Sequence, residues 1–338
     1  MTEDAVAMPP PSAPGGAGQR PAATAWLPAW LLLAVIWGSS FLLIKVGLHS
    51  LAPLPLAALR VVSGAATMLL VLMVTHQGLP RDRTAWLHAS VVGALLSAIP
   101  FTLFAWAETQ VTSVLAGLFN AATPLFTALA GLVIARGQRI GPNRTLGLII
   151  GVAGVGTILA IWQGVSGSAA GSLAAIGATV CYGIGIQWQQ RFLAPRPESA
   201  ASLVAAQLTA GAVLLVAVTA VSGEPLPQQI SWQSLGAVLA LGVIGTGMAY
   251  LLFFRVQQVA GALTSSTITY ATPVVSTLLG VLVLGEPMTW NQPVGALLVL
   301  AGVALVQGFL APLRDRGGTP SKGSATPVPT TPDRSSPE

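Results

Sequence analysis

Ten apolar runs follow one another through this chain with only short polar gaps between them, and no other feature restricts its fold so tightly. They occupy residues 27–47, 54–75, 85–106, 111–135, 146–162, 171–190, 200–221, 234–254, 262–284 and 294–310. A helix crossing lipid needs about 20 residues. Between residues 26 and 310, ten crossings therefore leave roughly eight residues per connection, which excludes an extramembrane catalytic domain. A mean hydropathy of +0.75 with 7% charged residues excludes a soluble globule. Lipid tolerates only helices and closed barrels, because every backbone polar group needs a partner. The alternating segments of about ten residues that build barrels are absent. The expected fold is all-α.

Two tails flank the runs. Residues 1–25 are rich in Pro, Ala and Gly, and residues 311–338 carry six prolines among Ser, Thr and Gly. Both compositions predict disordered cytoplasmic tails. The first run follows the polar N-terminal stretch and reads as a retained signal anchor.

Positive charge gives the orientation, since short loops rich in Lys and Arg stay cytoplasmic. With both termini inside, thirteen of the fifteen basic residues fall on the cytoplasmic side and the outer loops hold none. Only Lys45 and Arg60 lie within runs, while the outer segments carry Glu108, Glu224 and Glu286. A net charge of +5 and a pI of 10.1 thus report topology, not a nucleic-acid face.

The chain also repeats itself. A shift of 149 residues carries Gly93 onto Gly242, Phe104 onto Phe253, Thr123-Pro124 onto Thr272-Pro273 and Gly131 onto Gly280. A shift of 148 carries Asn143 onto Asn291, Gly147 onto Gly295 and Gly154 onto Gly302, and earlier Gly38 meets Gly183 and Gly64 meets Gly211. The unit is five helices, at 26–163 and 168–310. Five is odd, so the second copy enters from the opposite face. Ten transmembrane helices as two inverted five-helix repeats form an architecture by which carriers expose one central site to each side in turn.

Four segments carry a resemblance to a known family. WGSSFLLIKVGL at 37–48, PLAALR at 55–60, the Pro-centred fourth run and LGEPMTWNQPVGALLVLAGVAL at 284–305 resemble the drug/metabolite transporter superfamily, EamA type. The resemblance covers 27–310 and implies a bacterial inner-membrane carrier of small metabolites, commonly an exporter. The first copy departs from the pattern, reading Arg136-Gly137-Gln138-Arg139 where the second has Gly285-Glu286-Pro287.

The residues themselves suggest where a solute would bind. Asn120, Thr123 and Thr127 share one helical face, as do their repeat partners Thr269, Thr272 and Ser276. Pro124 and Pro273 each free a backbone carbonyl in the preceding turn, beside those hydroxyls. The plainer alternative is that these hydroxyls bond their own backbone and let helices approach. Trp37 and its partner Tyr182 lie mid-run, as do Tyr250 and Tyr270, whereas Trp and Tyr normally favour the interfaces. They wall a cavity or simply pack. Ser40 lies one turn beyond Trp37. The expected substrate residues are Trp37, Ser40, Asn120, Thr123, Tyr182, Thr269, Tyr270 and Thr272, in a cavity between helices one, three, four, six, eight and nine.

Lys45 and Arg60 either snorkel to water or pair with Glu108, or they form an electropositive outer vestibule for an anionic or zwitterionic solute. Glu108, at the outer junction of helices three and four, is the nearest candidate for proton coupling. Gly147, Gly151 and Gly154 form a seam that packs the two halves or a second protomer, so a homodimer is possible. His49, His76 and His88 are scattered and Cys181 stands alone, so neither metal nor cofactor is expected. The sequence has no Ser/His pair, HExxH or intramembrane acid pair, which argues against an embedded enzyme. The sequence therefore points to a secondary transporter for a small metabolite, amino acid or drug-like solute, with a non-transporting assembly or sensor subunit as the alternative.

Overall fold

The computed structural model describes residues 23–134, 141–160, 168–224, 229–266 and 268–307. The expected tails lie outside these residues except for 23–25, where the first helix has already begun. Every regular element among the described residues is helical. Seven helices are long and apolar enough to cross a membrane: α1 (Trp26–Gly47), α2 (Pro53–Val74), α3 (Arg83–Glu108), α4 (Ser113–Val133), α6 (Ala169–Leu193), α7 (Ala200–Val221) and α8 (Trp232–Phe253). Three are shorter: α5 (Pro142–Ile158), α9 (Ile268–Leu282) and α10 (Asn291–Val306).

Several helices depart from the regular pattern. α1 loosens at Ser39, and α4 breaks at residues 121–122, just before Pro124. α8 does not stop at residue 254, where its apolar run ends; the helix continues past Arg255 to Ser266. Wide i→i+5 turns occupy Ala94–Ala98 of α3 and Ala240–Met248 of α8, positions the repeat superposes. Such turns recur at functional sites.

Packing pairs the two halves reciprocally. α2 lies on α7, α5 on α10 and α4 on α9. α1 packs on α8 and α9, and its counterpart α6 packs on α3 and α4. The α5–α10 seam shows how closely the helices meet. A Cβ added at Gly147 would stand 2.6 Å from the Gly302 carbonyl, and one at Gly302 would stand 2.6 Å from the Gly147 carbonyl. Gly154 and Gly295 meet the same way. Small residues let the backbones touch, so this seam joins the halves within one chain. Large apolar side chains such as Leu31, Leu32, Val35, Val216 and Leu297 face outward, as lipid requires.

Candidate functional site

A cavity of about 540 Å³ lies where the C-terminal ends of α4, α6 and α10 meet the N-terminal parts of α5 and α9. Thr123, Pro124, Thr127 and Gly131 supply one wall, Thr269 another, and Gln187, Gln190 and Gln307 its polar rim. The break in α4 aims this wall. Thr123 Oγ1 donates to the Asn120 carbonyl at 2.8 Å, and Thr127 Oγ1 donates to the Thr123 carbonyl at 2.8 Å. The hydroxyl protons are thus spent on the backbone, and their oxygens remain acceptors. Gln187 Nε2 donates to the Thr127 carbonyl at 3.0 Å, tying α6 to α4. Tyr270 Oη donates to Gln307 Oε1 at 2.9 Å, tying α9 to α10.

Of the residues expected from sequence, Thr123, Pro124 and Thr269 line this cavity, and Tyr270 braces its rim. Helices α4, α5, α6, α9 and α10 line this cavity. Asn120 sits just above, its side-chain oxygen 3.4 Å from Thr123 Oγ1. Trp37 packs on Phe253 of α8 with ring centroids 5.6 Å apart, and Tyr182 lies 6.0 Å from the Phe104 ring. Ser40 and Thr272 are buried and bond their own helices, Ser40 to Ile36 and Thr272 to Ile268. Pro273 is buried, and Ser276 beside it seats against Gly117 of α4. The glutamines were not singled out as cavity residues. Their signal was available, since an amide near the end of an apolar run has to face something polar.

The opposite end is closed by charge. Lys45 Nζ donates to the carbonyls of Glu108 at 2.6 Å and Val111 at 3.1 Å, where α3 ends. Glu286 accepts from the Ser113 amide at 2.9 Å, the Ser113 hydroxyl at 2.8 Å and the Val114 amide at 3.0 Å, where α4 begins. A cation on a helix C-terminus and an anion on the next N-terminus both complement the macrodipoles. Lys45 therefore binds the backbone of residue 108 and not its carboxylate. The Glu108 side chain is 1% exposed, and both its oxygens lack a hydrogen-bond partner among the described residues. Arg60 does not snorkel. It is 6% exposed, with Nε donating to Thr246 Oγ1 at 3.3 Å and the guanidinium 3.7 Å above the Phe101 ring.

The EamA-like transporter pattern matches residues 24–160 and again 169–307. The chain belongs to the EamA-like transporter family. It is 29% identical over 280 residues to the uncharacterized inner membrane transporter YedA of Escherichia coli K12, covering 82% of this chain and 89% of YedA. It is also 29% identical over 281 residues to the uncharacterized transporter YvbV of Bacillus subtilis 168, covering 81% and 88%. One solved crystal structure superposes on 87% of this chain and 99% of its own with a TM-score of 0.60 at 22% identity, which is a likeness of fold. This EamA-like protein is thus a multi-pass membrane transporter acting on a small solute.

Proposed function

We propose that the EamA-like chain works by alternating access, as ten spans in two inverted halves with both termini cytoplasmic, in a bacterial inner membrane, and in the direction of export. The carrying observation is the exchange of partners between the halves: the main helix pairs, α2 on α7, α5 on α10, α4 on α9, and α1 on α8 and α9 against α6 on α3 and α4, recur once first and second copies are swapped. A two-fold relation of this kind makes the two end states equivalent in backbone terms and lets one central site face each side. The cavity gathers helix ends on the side of the basic loops, while Lys45, Glu286 and the Ser50–Ser231 contact bind the other end together. That combination suits an inward-facing state with its outer gate shut.

In this reading Asn120, Thr123, Thr269 and Thr272 flank the two proline-bearing helices at the crossing point, Trp37, Tyr182 and Tyr270 supply rigid walls, and Ser40 lies between them. The substitutions Asn120→Leu and Trp37→Ala should abolish solute counterflow in proteoliposomes while membrane insertion stays intact. Unchanged flux in both variants would reject the site.

A further inference from the structure

Arg60 is the most enclosed cation among the described residues of the spans, and its charge is not answered. Its Nε is used by Thr246 and one face of its plane by Phe101. Among the described residues neither Nη nitrogen has a hydrogen-bond partner, and no carboxylate reaches ion-pair distance. Phe101, beneath the guanidinium, belongs to the apolar cluster on which Tyr182 and Tyr250 pack, and Glu108 is the carboxylate close enough to act on the charge. Lys45, the other cation within the spans, is occupied by backbone carbonyls.

Neither phenol makes a hydrogen bond among the described residues, and both tyrosines are half-buried. α2, α6 and α8 thus bring together two guanidinium Nη nitrogens and two phenol hydroxyls without hydrogen bonds among the described residues, at the interface between the halves. An intramembrane cation is costly and is kept where function needs it. A guanidinium with its Nη edge open is shaped for a carboxylate, which it grips with two parallel hydrogen bonds.

We propose that Arg60, flanked by Tyr182 and Tyr250, is the anion-binding element of the transport site, and that the carried solute bears a single carboxylate. The two Nη nitrogens match the two oxygens of one carboxylate, and each phenol can add one further hydrogen bond to it. Phe101 and Thr246 hold the guanidinium plane, so that the solute meets an arginine already oriented. This assignment rests on the carrier reading above.

The test uses full-length protein in proteoliposomes loaded with deproteinised bacterial cytosol, supplemented with neutral amino acids and their carboxamides. Protein-dependent release is followed by mass spectrometry. The wild type should release carboxylate-bearing solutes and leave the carboxamides inside. Arg60→Gln should lower that release about tenfold or more, and Arg60→Lys, which keeps charge but loses the two-pronged grip, should lower it less. Tyr250→Phe should raise the solute concentration for half-maximal flux a few-fold, about what one hydrogen bond supplies. All variants are checked for a monodisperse, folded state before reconstitution. Release of solutes without a carboxylate, or equal release by folded Arg60→Gln, overturns the assignment and leaves the carrier reading standing. No protein-dependent release by the wild type overturns both.

Discussion

Two crossings in this molecule share a backbone and differ in chemistry. α2 crosses α8 where Arg60 meets Gly242 and Thr246; α7 crosses α3 where Gln207 meets Gly93, one turn from Ser97. The repeat superposes Arg60 on Gln207, Gly242 on Gly93 and Thr246 on Ser97. In both, the glycine lies against the backbone carbonyl of the polar residue, and a wide helical turn occupies the equivalent stretch. Yet Arg60 finds a hydroxyl and an aromatic face, while Gln207 is wholly buried and, among the described residues, neither its amide oxygen and nitrogen nor Ser97 Oγ has a hydrogen-bond partner. Glycine contact and helical geometry are what the fold demands, because both halves keep them. The charge is held by one half alone, as the solute-binding role proposed for Arg60 requires and a role in the shared scaffold would not.

The largest effect should come from moving the charge to the other crossing. Gln207→Arg places a cation where no partner waits, and it should cost about 3–5 kcal/mol, read as loss of folded protein in a detergent melt. If Gln207→Arg folds like the wild type, the two crossings are interchangeable and the comparison fails. Next in size are the glycines. Gly93→Ala and Gly242→Ala should each destabilise by about 1–3 kcal/mol, because the obstacle includes backbone that cannot give. Matching losses at the two crossings would sharpen the claim that the scaffold is shared.

The two ends of the bundle extend the contrast. At one end, Ser50 and Ser231 join the α1–α2 and α7–α8 connections through a neutral contact of 3.1 Å, with Ser234 Oγ donating to the Val46 carbonyl at 2.9 Å. At the other, the corresponding connections are joined by the Arg196–Asp82 ion pair, by Ser199 Oγ donating to Gln77 at 2.5 Å and by Ser202 Oγ donating to the Gly78 carbonyl at 2.7 Å. Glu286 has a comparable role beside the first end, and Glu286→Ala should cost about 1–2 kcal/mol, since three hydrogen bonds at a helix start are lost.

The smallest effect is one of pH. Hydrogen bonds from Thr84 first, and then Arg196, hold the Asp82 carboxyl below the ordinary carboxylate value. A depressed native value stabilises above the unfolded value and is lost as pH falls through the native one. The melting difference between wild type and Asp82→Asn should therefore be present at neutral pH, begin to shrink below about pH 4 and vanish only once the pH is below the depressed native value. Ser50→Ala should show no such dependence.

Hydropathy made most of the helices legible, because a run of about 20 apolar residues has few other fates in water or lipid. The glycine spacing marked the α5–α10 seam but left its partner open, since close approach within a chain and between chains demands the same small residues. Thr123 and Thr269, singled out by their helical faces, both line the cavity. The roles of Lys45 and Glu286 were not readable, because their partners are backbone groups at helix ends that no side-chain pattern records. Nor did the apolar run show that α8 continues past Arg255, since hydropathy reports lipid exposure and not backbone continuity.

The central claim is that the halves lie in opposite senses across the membrane, and it is most directly tested by labelling from one side. Cys181→Ala provides a cysteine-free chain, into which Gln110→Cys and Ala194→Cys are introduced separately; both positions are exposed in the structure. With intact cells and a membrane-impermeant maleimide, Gln110→Cys should label at once and Ala194→Cys only after permeabilisation. Equal labelling of both from outside would contradict inverted halves and the alternating site built on them.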